Sequence, residues 1–206
     1  MNYLAHVFLA GPAPADRVGG LIGDFVKGVL DPPPPGLDAA LIDGVRLHRS
    51  IDSFADRHPA FQRSRARVSA ARRRVSGIMV DLFYDHFLAR HWTALAGQRG
   101  FDASLPASTA ALYREVGNWP GALPPSFIEV FARMAAHDWL ASYASSAAVA
   151  LALDRMAHHR LRQPNALAGA GAELLDHYDG FEADFFLFIA DAEGHAAALR
   201  EGRRCA

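Results

Sequence analysis

Residues 78–92, IMVDLFYDHFLARHW, decide how the chain is read. On a helical projection of about 100° per residue they are apolar on every side, yet Asp81, Asp85 and His86 sit among them. Asp81 and Asp85 fall one turn apart on one face, flanked by Ile78, Tyr84 and Leu88, with His86 about a quarter turn away. A helix that is apolar all round is a buried central helix. A carboxylate carried into such an interior takes up a proton, pairs with a cation or coordinates a metal. Such a helix needs partner groups from elsewhere in the chain to converge on it.

The chain has 206 residues, enough for a single domain with a substantial core, and its 51% hydrophobic and 21% charged residues are those of a soluble globular protein. A formal net charge of −1 gives no overall pull toward nucleic acid or membrane. The single cysteine, Cys205, permits neither an intramolecular disulfide nor a cysteine-based zinc site. The apolar N-terminus lacks a basic leader and contains Asn2 and His6, so it reads as unprocessed, and no apolar run reaches the length of a membrane span. The cytoplasm is the expected compartment.

Taken in order, residues 2–10 have helical spacing that places Asn2 and His6 on one face, and Gly11-Pro12 stops them. Asp16 is the expected N-cap of a helix over 17–30, ended by Pro32 to Pro35, with Gly20, Asp24 and Gly28 as one stripe. That stripe is either a small-residue packing surface with Asp24 at its solvent edge or a close approach that aims Asp24 inward. A third helix over 36–57 places Leu41, Val45, His48 and Asp52 on one face. His48 and Asp52 could form a simple hydrogen bond; the argument for metal is that this His-x3-Asp geometry repeats in Asp81 and Asp85.

Residues 59–74 read as an arginine-rich helix carrying Arg63, Arg65, Arg67, Arg72, Arg73 and Arg74, either a solvated face or a docking patch for an acidic partner. After a looser stretch over 96–105, helices are expected over 106–118, 124–136, 139–159 and 166–200, the last with an aromatic stripe that belongs to the core. No segment alternates as a strand does, and no phosphate loop, serine elbow or repeat is present. The fold expected is an all-α, single-domain helical bundle of about seven or eight helices.

Asp24, His48, Asp52, Asp81, Asp85 and His86, with His6 nearby, form an oxygen- and imidazole-rich set without sulfur, which suits Mn²⁺, Mg²⁺ or Fe²⁺ better than structural zinc. Such an ion activates water and neutralises phosphoryl charge, so metal-assisted phosphoester hydrolysis follows.

The blocks MNYLAHVFLA, GGLIGDFVKG, HRSIDSFADRHP and DLFYDHFLARHW, in that order, with a weaker ELLDHYDGFEADFFLF near the end, resemble the acyl carrier protein phosphodiesterase family. The resemblance implies hydrolysis of the phosphodiester joining 4'-phosphopantetheine to a serine of holo-acyl carrier protein, dependence on Mn²⁺, and a distant relation to the helical HD-domain phosphohydrolases. These blocks contain the residues already singled out; among them Asp24, His48, Asp52 and Asp81 are the expected metal ligands, and Asp85, His86 and His6 the expected catalytic side chains, an assignment that the resemblance itself does not make. Arg49 is expected to clamp a phosphate oxygen, with holo-acyl carrier protein docked on the patch from Arg63 to Arg74. A literal His-Asp pair at His137-Asp138 lies outside these blocks, and Asp138 is read instead as a helix cap. The competing readings are an HD-like hydrolase of a small phosphoester or nucleotide, and a non-catalytic helical partner of the carrier protein.

Overall fold

The computed structural model describes residues 2–97, 101–159 and 165–204, and all regular structure among them is helical. Cys205 and residues 98–100 of the expected looser stretch lie outside the described residues. Helix α1 (Tyr3–Ala10) is buried along its whole length, and α2 (Pro14–Ile22) runs into a short 3₁₀ turn, Gly23–Phe25. A second 3₁₀ turn, Ala39–Leu41, leads into α3 (Ile42–Arg57), and Pro59 starts α4 (Pro59–Arg67) at the position where its missing N–H costs nothing. The central helix is α5 (Ser76–Arg90), followed by α6 (Trp92–Ala96), α7 (Leu105–Gly117), α8 (Pro125–Ala136) and α9 (Trp139–Ser142). The chain ends through α10 (Ser146–His159), α11 (Ala172–Asp176) and the long α12 (Tyr178–Arg204).

The description of α5 as a buried axis holds. Met79, Val80, Leu82, Phe83, Tyr84, Phe87 and Leu88 are all buried, and α1, α4, α10 and α12 pack around the helix. The aromatic stripe of α12 supplies one wall: Phe181 meets Phe83 edge-on at 5.0 Å, and Phe185 and Phe188 lie 5.6 and 5.4 Å from Tyr84. Helices α2 and α3 cross at their backbones, because a Cβ on Gly19 would come within 2.7 Å of the Gly44 Cα. This crossing brings the end of α2 against the middle of α3.

Several helix boundaries differ from those expected, each for a local reason. The helix expected over 17–30 begins at Pro14, with Ala13 rather than Asp16 as its cap, and is finished by Phe25. Asp16 instead receives both terminal nitrogens of Arg203 at 3.0 and 3.2 Å. The expected Gly20, Asp24, Gly28 stripe is broken accordingly, since Gly28 lies in irregular backbone with φ +80°. The arginine helix breaks at Val68, where the backbone turns extended, before a 3₁₀ turn at Ala70–Val75. The 139–159 helix is split after Ser142, and the last segment becomes helical only from Ala172. These breaks give twelve α-helices among the described residues rather than seven or eight.

Candidate metal centre

Four elements deliver the site. His6 stands in the middle of α1, Asp24 in the 3₁₀ turn after α2, His48 and Asp52 one turn apart on α3, and Asp81 on α5. The imidazoles of His6 and His48 stack with centroids 3.7 Å apart and planes 19° from parallel. Both present Nε2 to one carboxylate: His6 lies 3.1 Å from Asp52 Oδ1 and His48 3.2 Å from Asp52 Oδ2. Asp24 Oδ1 approaches His48 Nε2 from the other side at 3.5 Å. The centre opens on its acidic side, for His48 is 2% exposed while Asp52 and Asp24 keep 36% and 60% of their side-chain surface.

The sequence near Gly23 is shaped around His48. A Cβ at position 23 would overlap the His48 ring, so glycine is required where α2 ends against α3. One turn earlier, the Gly20 carbonyl lies 2.8 Å from His48 Nδ1. A carbonyl only accepts, so Nδ1 carries a proton in either charge state, and Nε2 is the nitrogen that faces Asp52 and becomes free to ligate when its own proton leaves. Metal-ligating histidines are oriented by this kind of contact.

Electrostatics separate the two stacked rings. Burial and the neighbouring His48 lower the His6 pKa to about 4. Burial also works against charge on His48, but the Asp24 and Asp52 carboxylates outweigh it and hold its pKa up at about 9. Burial pushes Asp52 up, yet its contacts with His48 and His6 prevail and keep it well below the usual carboxylate range. Asp24 is lowered through its contact with His48. Asp81 is raised, first by burial and further by the charges of Asp52 and Asp24.

The ligand atoms of His6, His48 and Asp52 lie within 4.8 Å of one another, so the three can hold a metal ion. The observations fit that use. Two Nε2 atoms and a carboxylate converge, one ring is oriented by a backbone carbonyl, and Asn2 Nδ2, a turn before His6, is a buried donor with no acceptor among the described residues. An oxygen bound at the centre is the kind of acceptor such a donor lacks.

Three expected site residues are engaged with partners outside the cluster. Asp85 accepts the Leu4 amide at 3.0 Å on one oxygen and the Ala5 amide at 2.9 Å on the other, so it caps α1 from a neighbouring helix. Burial raises its pKa to about 7 despite these two donors. His86 has Nδ1 2.8 Å from the Tyr143 carbonyl and Nε2 3.0 Å from the Tyr178 hydroxyl, which leaves neither nitrogen for the centre. Arg49, beside His48, turns away and donates to the carbonyls of Val26 and Gly28, both at 2.8 Å. His6, expected as a catalytic side chain, instead shares Asp52 with His48. Asp138 caps α9 by accepting the Ala141 amide, as expected for the decoy pair.

The arginines of 63–74 are partly committed inside the protein. Arg63 and Arg67 both donate to the buried Asp184, at 2.9 and 3.2 Å, and Ser64 Oγ adds a third contact at 3.2 Å. Arg72 pairs with Glu173 at 3.0 Å and Arg65 lies 3.6 Å from Asp56. Three carboxylates facing six arginines leave a positive surplus on this face.

A family model described as acyl carrier protein phosphodiesterase matches residues 1–192. The chain is 35% identical over 188 residues to the acyl carrier protein phosphodiesterase of Serratia proteamaculans, covering 91% of this chain and 93% of that one. It is 34% identical over 188 residues to that of Photorhabdus laumondii, with 91% of each chain covered, and 32% identical over 197 residues to that of Salmonella dublin, covering 96% and 98%. No solved structure matches. None of the described helices is long and apolar enough to cross a membrane. The chain belongs to the acyl carrier protein phosphodiesterase family.

Proposed function

We propose that this protein hydrolyses the phosphodiester between 4'-phosphopantetheine and the carrier serine of holo-acyl carrier protein, using a divalent cation held by His6, His48 and Asp52, with Mn²⁺ as the first candidate. The observation that carries the reading is the shared use of Asp52 by two stacked histidines from separate helices, in a chain of this family. When bound, such an ion supplies activated water and compensates phosphoryl charge. The protein's own groups do the remaining work. His48 is held in its ligating tautomer by Gly20, and Asp24 stands at the open edge beside it. Asp81, whose pKa is raised by burial, is suited to accept a proton from water at the centre. Asp85 supports His6 by fixing the start of α1, and His86 ties α5 to Tyr143 and Tyr178.

We assign docking of the acidic carrier protein to the positive surplus of α4 and the turn after it, where Arg73 and Arg74 are exposed. The test is intact mass of holo-acyl carrier protein incubated with metal-stripped protein resupplied with Mn²⁺. Loss of the phosphopantetheine mass in the wild type, abolished in His48→Ala and Asp52→Asn variants that remain folded, is the expected result. An unchanged mass with every divalent ion tried would overturn it.

A further inference from the structure

Charge at the centre poses a problem that its ligands leave unsolved. Asp24 and Asp52 carry negative charge at the open edge of the centre, and a phosphodiester is itself an anion, so a cation of the protein beside the metal would ease its approach. Arg49 is next to His48, but both its terminal nitrogens are spent on the backbone. The two carbonyls they reach, Val26 and Gly28, flank a single residue, Lys27. One planar fork thus bridges the carbonyls of the residues on either side of Lys27 in a segment with no regular structure, and the buried Val26 and Leu30 pin that segment to the core.

Lys27 is itself exposed, and its ammonium makes no hydrogen bond or ion pair among the described residues. It lies three residues after Asp24, the open-edge carboxylate of the centre. Three residues of extended chain span about 10 Å at most, well within the combined reach of the backbone and a long lysine stem. It is also the only lysine in the chain; arginine serves at every other basic position. An ammonium is a compact charge with three rotatable donors, suited to follow a phosphoryl oxygen as it shifts during displacement.

We propose that Lys27 is the phosphoryl-binding residue of this site and that Arg49 is a positioning residue that straps the Lys27 backbone; this rests on the phosphodiesterase reading above. Lys27→Met, Lys27→Arg and Arg49→Met are compared with wild type as full-length, Mn²⁺-loaded protein acting on holo-acyl carrier protein, with the product 4'-phosphopantetheine as inhibitor. Lys27→Met lowers kcat/KM by roughly 10²-fold and weakens inhibition by the product, while Mn²⁺ affinity from calorimetry stays at the wild-type value. Lys27→Arg, which keeps the charge, recovers part of the loss. Arg49→Met shows the same kinetic loss together with faster amide exchange over residues 26–30, an exchange that Lys27→Met leaves unaltered. Wild-type kinetics and inhibition in Lys27→Met, or no recovery in Lys27→Arg, would overturn the proposal, and unaltered exchange in Arg49→Met would overturn the strap. If wild-type protein is inactive on holo-acyl carrier protein, the phosphodiesterase reading itself fails.

Discussion

His6 and His48, 42 residues apart in sequence, stack ring on ring at 3.7 Å and share the two oxygens of Asp52. Two imidazolium ions cannot lie so close without strong repulsion. The charge is therefore divided unequally, with His48 protonated up to about pH 9 and His6 neutral down to about pH 4 in the metal-free protein.

This division makes metal binding a proton-releasing event. Below about pH 9 an incoming ion must displace the Nε2 proton of His48, so affinity rises with pH through the neutral range and levels off near 9. Calorimetry of Mn²⁺ binding in two buffers of different ionisation enthalpy should show close to one proton released at pH 7. In the metal-free protein, His48 contributes stability in full below its unfolded pKa near 6.5 and loses it as pH rises through 9. Metal-free melting temperature should accordingly fall across that window, where bound metal maintains it.

Gly23→Ala forces a methyl group into the His48 ring. Overpacking of this kind costs about 1–3 kcal/mol. Displacement of a ligand by its support should also weaken Mn²⁺ binding by roughly 10–100-fold. Denaturant unfolding and calorimetry read the two effects separately; wild-type metal affinity in this variant would show that His48 does not ligate.

Asp85→Ala removes the acceptor of two buried amides at the start of α1. Each orphaned amide costs about 1–3 kcal/mol, so unfolding should shift strongly. Asp85→Asn, which keeps one acceptor, should be milder. Because the folded pKa of Asp85 is raised to about 7, its contribution is full below the ordinary carboxylate pKa and lost as pH rises through 7. The wild-type advantage over Asp85→Asn should thus shrink between pH 4 and pH 8. A general base would show the opposite pattern, with kcat lost and stability retained.

Arg73→Glu with Arg74→Glu reverses two exposed charges for which no carboxylate partner is seen among the described residues. KM for the carrier protein should rise several-fold at low ionic strength, with the difference fading as salt is added. An unchanged KM would move the docking face elsewhere. Including Arg72 would confuse the result, since it holds Glu173 at 3.0 Å.

Much of this was legible before any coordinates. Apolar residues on every side of 78–92 required a buried central helix, and α5 is one. The i, i+4 spacing of His48 and Asp52 put both on one face of α3, where they meet at 3.2 Å. The family blocks were legible as well, because they are local strings. By contrast, the break of the second helix at Gly23 answers a contact with His48, on another helix, that no local signal announces.

Sequence by itself determined that the fold is all-helical, that α5 is its axis, and that histidines and acids of α3 and α5 turn toward the interior. Only the tertiary structure decided which of them meet. Helical periodicity fixes the face a residue occupies but says nothing of what is packed against it. A buried carboxylate is satisfied equally by a cation or by two backbone amides, so Asp81 and Asp85, one turn apart, look alike in sequence. Packing gives Asp85 to the N–H groups of α1 and His86 to Tyr143 and Tyr178, and it lays His6 on His48 over Asp52. Lys27 gave no periodic signal at all, because its place depends on an arginine of α3 reaching two carbonyls in a loop.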